Sequence, residues 1–152
     1  MTTTLRPISS VLPEQIQLLA NDPRVGKHLR ATFPYPYTLD DAKKFLSLCQ
    51  DDSVFGIFEG KDFVGVVSLQ VHHQPEEAEV GYWIGVPYWG QGIATRAVEK
   101  VIHQARGRFE RLIAKVFLDN PASCRVLEKA GFEYQGVELG EHVYRLTLSE
   151  TY

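Results

Sequence analysis

A chain of 152 residues, 44% apolar and 23% charged, fits one ordinary domain able to bury roughly 70% of its unfolded surface. A formal charge of −3 and a pI near 5.9 leave no basic footprint for a nucleic-acid backbone, and lean weakly toward a cationic partner. No apolar run approaches about 18 residues, and the start MTTTLRPISS has no signal-peptide pattern. The expectation is a cytoplasmic, membrane-free protein, complete as a single domain over residues 1–152, as a monomer or a homodimer.

Leu5 to Ile8 is a short strand, and Pro13 to Ala20 a short helix with Ile16, Leu19 and Ala20 apolar. Phe33 to Tyr37 (FPYPY) is not regular helix, because each proline pushes its predecessor out of the α region. Thr38 or Asp40 then caps a helix running to about Cys49, with Ala42, Phe45, Leu46 and Cys49 on one face. Val54 to Glu59 and Phe63 to Val71 form a hairpin across Gly60-Lys61-Asp62. A polar connection, His72 to Glu76, leads to a further strand from Glu79 to Gly85.

The rhythm then changes. From Gly92 to about Arg106, Ala94, Ala97, Val98, Val101, Ile102 and Ala105 recur at helical spacing. Leu112 to Leu118 reads as a buried strand. Asn120-Pro121 opens a helix that Gly131 ends, with Phe132 packing back on Leu127. Phe132 to Leu139 and Val143 to Leu148 close the chain as a hairpin. The fold class is α+β, a mixed and mostly antiparallel sheet of six or seven strands flanked by about four helices.

Cys49 and Cys124 have neither metal-ligand nor redox spacing and read as buried reduced thiols. His72 and His73 are adjacent on an extended segment, so they point to opposite faces, and no metal is expected.

The chemistry concentrates in Pro87-Tyr88-Trp89-Gly90-Gln91-Gly92-Ile93-Ala94-Thr95, between a strand and an amphipathic helix. The first N–H groups of a helix lack intrahelical partners, and the dipole is positive there. Glycines at 90 and 92 let the backbone turn tightly beside a ligand, so a diphosphate is a fitting guest; a plain connecting turn is the alternative. A Rossmann site fits poorly, since the turn lies mid-chain after hairpin-linked strands and Thr95 stands at the third glycine position. The missing Gly-Lys-Ser/Thr excludes a P-loop.

Two runs, EVGYWIGVPYWGQGIATRAV and NPASCRVLEKAGF, resemble the GNAT superfamily of N-acetyltransferases, and within it the Rim-type branch that acetylates N-termini of ribosomal proteins. The likeness covers Glu79 to Val98 and Asn120 to Phe132, with a looser match in the N-terminal third. The superfamily's motif, Arg or Gln-x-x-Gly-x-Gly or Ala, places its last two fixed positions on Gly92 and Ala94 and its first on Trp89. That departure removes one polar side chain from the expected ligand contacts.

What the resemblance implies is an acetyl-coenzyme A site in an opening between the strand ending near Gly85 and the strand from Leu112 to Phe117. Ile84, Gly85 and Val86 would pair with pantetheine through main-chain groups, and Trp89, Gly90, Gln91, Gly92, Ile93, Ala94 and Thr95 would cradle the diphosphate. Asn120 would contact a pantetheine amide while capping its helix. Arg125 would meet coenzyme phosphates, with Lys129 and Arg96 as further candidates.

For catalysis, a glutamate on the strand before the cradle often serves as base in this family, which points to Glu79 first and Glu77 second. The position of the superfamily's tyrosine acid is Leu127, which excludes that mechanism, and Ser123 matches the serine of Rim-type relatives as donor to the departing thiolate. A solvated strand-end carboxylate and a plain first-turn serine are the structural alternatives. The implied acceptor is an amine, either a peptide N-terminus or a small amine such as a polyamine, approaching past Phe33, Tyr35, Tyr37 and Tyr82. A non-catalytic acyl-coenzyme A sensor on the same fold is the rival function.

Overall fold

The computed structural model describes residues 2–27, 29, 33–71 and 76–148. His72 and His73, considered above as ligands, lie outside them; among the described residues, no group of three or more His, Cys, Asp and Glu side chains is placed to hold a metal.

The described elements are β1 (Thr3–Pro7), α1 (Pro13–Ala20), α2 (Pro23–Gly26), α3 (Leu39–Leu48), β2 (Val54–Glu59), β3 (Asp62–Val71), β4 (Glu77–Ile84), α4 (Ile93–Ala105), β5 (Arg111–Phe117), α5 (Pro121–Lys129), β6 (Glu133–Glu138) and β7 (Glu141–Thr147). Two 3-10 turns, at Ile8–Ser10 and Val86–Tyr88, complete them. One seven-stranded sheet runs β1-β2-β3-β4-β5-β7-β6. Every neighbouring pair is antiparallel except β4 with β5, which α4 connects as a crossover.

The sheet separates two apolar layers. Val67, Leu69, Val80 and Ile84 pack on one face against Ile93, Ala97, Val98 and Val101 of α4 and Leu127 of α5. On the other face Phe63 and Val66 pack against Ile16 and Ala20 of α1 and Ala42 of α3, with Trp83 alongside. Period-two alternation along β4 therefore sends Val80, Tyr82 and Ile84 to the α4/α5 layer, and Glu79, Gly81 and Trp83 to the α1/α3 layer.

Local chemistry sets the helix ends. Thr38 caps α3 through Oγ1, which accepts from the Asp41 N–H at 3.1 Å, while the Asp41 carboxylate accepts from the Thr38 N–H at 2.8 Å. Gly131, at φ 99°, ends α5: its N–H reaches the Glu128 carbonyl, and the Phe132 N–H reaches the Leu127 carbonyl. Phe132 and Leu127 are both buried in the same cluster.

Candidate active site in the parting of the sheet

β4 and β5 pair over only three positions, Glu77 with Arg111, Ala78 with Leu112 and Glu79 with Ile113. Beyond Glu79 the strands part, β4 continuing to Ile84 and β5 to Phe117. The closed end of this wedge is pinned by Arg111, whose Nε lies 3.2 Å from Glu77 Oε2. The open end is a cleft of about 750 Å³ walled by β4, β5, the Tyr88–Thr95 turn and the first turns of α5.

The parting strands leave main-chain groups facing one another across a gap. The Gly85 N–H bonds to the Val64 carbonyl at 2.8 Å, which fixes the phase of the β3–β4 ladder. Residues at alternate positions, Val80, Tyr82 and Ile84, then aim their N–H and C=O groups away from β3 and toward the gap. One of those acceptors is already engaged, because the Trp89 indole Nε1 donates to the Ile84 carbonyl at 2.7 Å. Trp89 thus ties the turn to the strand end from the position where the superfamily carries Arg or Gln. The Gly85 and Val86 carbonyls accept from the Tyr88 and Trp89 N–H groups, so they shape the turn.

At the mouth of the cleft stands the N-terminus of α4. Gly92 is its N-cap in the left-handed region (φ 75°), with no capping side chain and no acidic residue in the first turn. The early N–H donors of α4 and the positive dipole end therefore face the cleft without a built-in anion. The φ of Gly92 favours glycine there, and a Cβ would stand 3.0 Å from Arg96 Nη1, so the guanidinium would have to give way by a few tenths of an ångström. Arg96 itself is turned away from the cleft: Nε donates to Thr3 Oγ1 (2.8 Å), Nη1 to the Gln91 carbonyl (3.0 Å), and Nη2 lies 3.3 Å from Glu59 Oε1. Of the three basic candidates for coenzyme phosphates, Arg125 and Lys129 line the cleft and Arg96 braces the turn from behind.

The candidate catalytic groups sit on opposite sides of the parting. Glu79 lines the cleft from the α1/α3 side, whereas Glu77 is committed to Arg111 at the closed end. On the α4/α5 side, Asn120 caps α5 by accepting the Ser123 N–H at 3.3 Å, which leaves its amide NH₂ as a donor. Ser123 Oγ is hydrogen-bonded to the Tyr82 hydroxyl, a partner that sequence reasoning placed only among acceptor-wall aromatics. Burial pushes the Tyr82 phenol up to about 12, against a smaller downward pull from Ser123. Behind α5, the Tyr144 hydroxyl donates to Glu128 at 2.8 Å and fastens the helix to β7.

The expected aromatic wall is corrected. Tyr37 is buried in the α1/α3 core and stacked on Phe33 with ring centroids 5.2 Å apart, and Tyr35 is 61% exposed; none of the three lines the cleft. That side is formed by Arg24 and Val25 of α2 and by Leu29. Both cysteines are free and half-buried; burial pushes the Cys49 thiol up to about 11.

Residues 3–133 match the family model described as the acetyltransferase (GNAT) domain. The chain is 34% identical over 86 residues to a ribosomal-protein-serine acetyltransferase of Escherichia coli K12, a match covering 55% of this chain and 48% of that one. It therefore spans about half the length of that relative. Among solved structures, a ribosomal-protein α-N-acetyltransferase, RimL, in complex with coenzyme A superposes with a TM-score of 0.82 at 22% identity, covering 97% of this chain and 95% of the other. A spermidine N-acetyltransferase of Vibrio cholerae, in complex with coenzyme A and spermine, superposes at 0.77 with 19% identity, covering 97% and 96%.

Proposed function

The chain belongs to the GNAT acetyltransferase family, and from that premise we propose that it transfers the acetyl group of acetyl-coenzyme A to a primary amine by direct attack in a ternary complex. The observation that carries this reading is the wedge between β4 and β5, with an uncapped helix N-terminus at its mouth and candidate groups on both of its sides. The α4 N-terminus with Gly90, Gln91 and Gly92 suits the diphosphate. Main-chain groups of Tyr82 and Ile84, with the Asn120 amide, suit the amides of pantetheine. Arg125 and Lys129, which line the cleft, suit the coenzyme's other phosphate.

The division of the site between two faces fits the chemistry. The coenzyme enters from the α4/α5 side and the amine from the α1/α3 side, so the nucleophile meets the thioester within the parting. Glu79, on the amine's side, takes the proton that the attacking nitrogen must lose, directly or through water. Ser123, on the coenzyme's side, serves the departing thiolate as a donor. The N–C bond forms, the C–S bond breaks, and the sulfur leaves with the electron pair. No metal enters this chemistry.

For the acceptor we infer a peptide N-terminus, a reading supported by the ribosomal-protein acetyltransferases among its relatives. A small amine or polyamine is the second reading, favoured by the neighbour described with spermine and by a net charge of −3. The proposed setting is the cytoplasm; among the described residues, no helix is long and apolar enough to cross a membrane. The test is thiol release from acetyl-coenzyme A over a panel of N-terminal peptides, polyamines and aminoglycosides. Turnover on one class identifies the acceptor. Coenzyme binding with no turnover anywhere turns the reading to an acyl-coenzyme A sensor, and absence of coenzyme binding overturns both.

A further inference from the structure

Tyr82 and Ser123 come from opposite walls of the cleft, one on β4 and one on the first turn of α5, and their hydroxyls are hydrogen-bonded across it. We infer that Tyr82 is a positioning residue: by donating to Ser123 Oγ it turns the serine's single proton toward the cleft, where the pair stabilises the coenzyme thiolate as a hydrogen-bond donor. This rests on the acetyl-coenzyme A reading above and adds a residue and a sharper role to it.

The argument starts from the inventory of each hydroxyl. Each has one proton to donate and lone pairs to accept. A phenol is more acidic than an aliphatic alcohol, so between the two the phenol is the better donor and the serine oxygen the better acceptor. With Tyr82 donating, Ser123 keeps its own proton for a third group. The Ser123 N–H is meanwhile held by Asn120 Oδ1, so the serine's backbone is fixed by the α5 cap and its side chain by β4. Successive hydrogen bonds in such a chain polarise one another, which strengthens the terminal donor.

The acidity order defines what this donor does. A cysteine thiol has a reference pKa of about 8.5, and the coenzyme's alkyl thiol, with no peptide backbone beside it to withdraw electrons, lies somewhat above that. The Tyr82 phenol lies above its ordinary 10, because burial disfavours the phenolate. Neither hydroxyl therefore surrenders its proton outright to a thiolate; the pair lowers the energy of the departing sulfur anion and stays protonated. Proton balance is kept without it: the nitrogen's proton passes to the base on the Glu79 side, and the thiolate takes its proton from solvent on release.

A readout that needs no acceptor tests this. In the complex with free coenzyme A, the thiolate's ultraviolet absorbance titrates the bound thiol. Donation from the pair lowers its pKa below that of free coenzyme A titrated alongside, and Tyr82→Phe and Ser123→Ala each return it toward that free value. The double variant matches Ser123→Ala alone, because the two hydroxyls act as one unit. Arg24, Glu79, Lys115, Arg125, Lys129 and Glu141, the other charged groups lining the cleft among the described residues, are identical in all four proteins, so differences report the hydroxyl pair.

In turnover, kcat falls roughly 10- to 100-fold in Ser123→Ala and no further in the double variant, while coenzyme affinity holds. A bound thiol titrating alike in wild type and Tyr82→Phe overturns the inference. So do additive effects in the double variant, or a larger loss in Tyr82→Phe than in Ser123→Ala, which would make tyrosine the terminal donor. Failure of the wild-type chain to bind coenzyme A is a different result, and sinks the acetyl-coenzyme A reading itself.

Discussion

Arg96 Nη2 stands 3.3 Å from Glu59 Oε1, joining the first turn of α4 to a carboxylate on β2 that is only 4% exposed. The same guanidinium holds the Gln91 carbonyl at 3.0 Å, so one side chain spans the floor of the sheet and the turn that faces the cleft. Arg96→Ala leaves the Glu59 carboxylate with Thr3 but without its charge partner, a loss of about 1–3 kcal/mol in folding stability. It also frees the turn, so coenzyme A binding weakens. Arg96→Lys recovers less than half of either loss, because an ammonium does not reproduce a fork that reaches three acceptors. Urea unfolding and calorimetric titration with coenzyme A measure the two effects; unchanged coenzyme affinity in Arg96→Ala refutes the bracing role.

Glu59 also gives the protein a pH dependence of defined sign. The hydrogen bond from Thr3 holds its carboxyl below the ordinary 4.5, with Arg96 adding to the effect and burial opposing it. A carboxyl lowered on folding adds stability above its unfolded pKa, and that stability is lost as pH falls through the folded value. Glu59→Gln is therefore less stable than wild type at neutral pH. The two begin to converge as the pH drops below the ordinary 4.5, in unfolding midpoints followed by circular dichroism. Parallel curves at all pH values would refute this.

Wherever a local rule decides, the sequence reads true. Thr38 and Gly131 mark helix ends because capping involves only neighbours along the chain, and the α4 stripe from Ala94 to Ala105 is a one-dimensional pattern. The four-residue α2 is too short to show any period, yet it supplies Arg24 and Val25 to the cleft. The acceptor wall was misread at Phe33, Tyr35 and Tyr37 because composition does not tell which aromatic turns inward; Tyr37 is core. Arg96 and Tyr82 were each visible as residues, but their partners are 37 and 41 positions away. Only the register of β4 and the docking of α4 and α5 bring such pairs together. Tyr82 could have been separated from Glu79 by parity alone, since the two stand three apart on one strand and so face opposite layers.

Gly92 and Gly90 share a φ of 75° but differ in surroundings, and the difference is testable. Left-handed backbone costs an ordinary residue about 1–2 kcal/mol at either position. At Gly90 a Cβ meets nothing within 4 Å, whereas at Gly92 it meets Arg96 Nη1 at 3.0 Å and disturbs the N-cap of α4. Gly92→Ala therefore lowers coenzyme A affinity by at least tenfold more than Gly90→Ala, with similar losses in thermal stability. Equal affinity losses would show that the Arg96 contact is immaterial to the cradle.

Glu79 and Glu77 lie on the same face of β4, yet the wedge gives them different work. Glu77 sits where β4 and β5 are still paired and its carboxylate is bound to Arg111, while Glu79 is the last paired residue before the strands part and lines the cleft. Glu77→Gln weakens a largely buried ion pair and costs about 1–2 kcal/mol of stability, with turnover preserved. Glu79→Gln removes the proposed base and lowers kcat by about 100-fold near neutral pH. That deficit shrinks as pH rises, because more of the acceptor amine is then already deprotonated and needs no base. Steady-state rates of both variants against pH, with one acceptor at saturation, separate the roles; a Glu77→Gln deficit equal to that of Glu79→Gln would move the base to the closed end of the wedge.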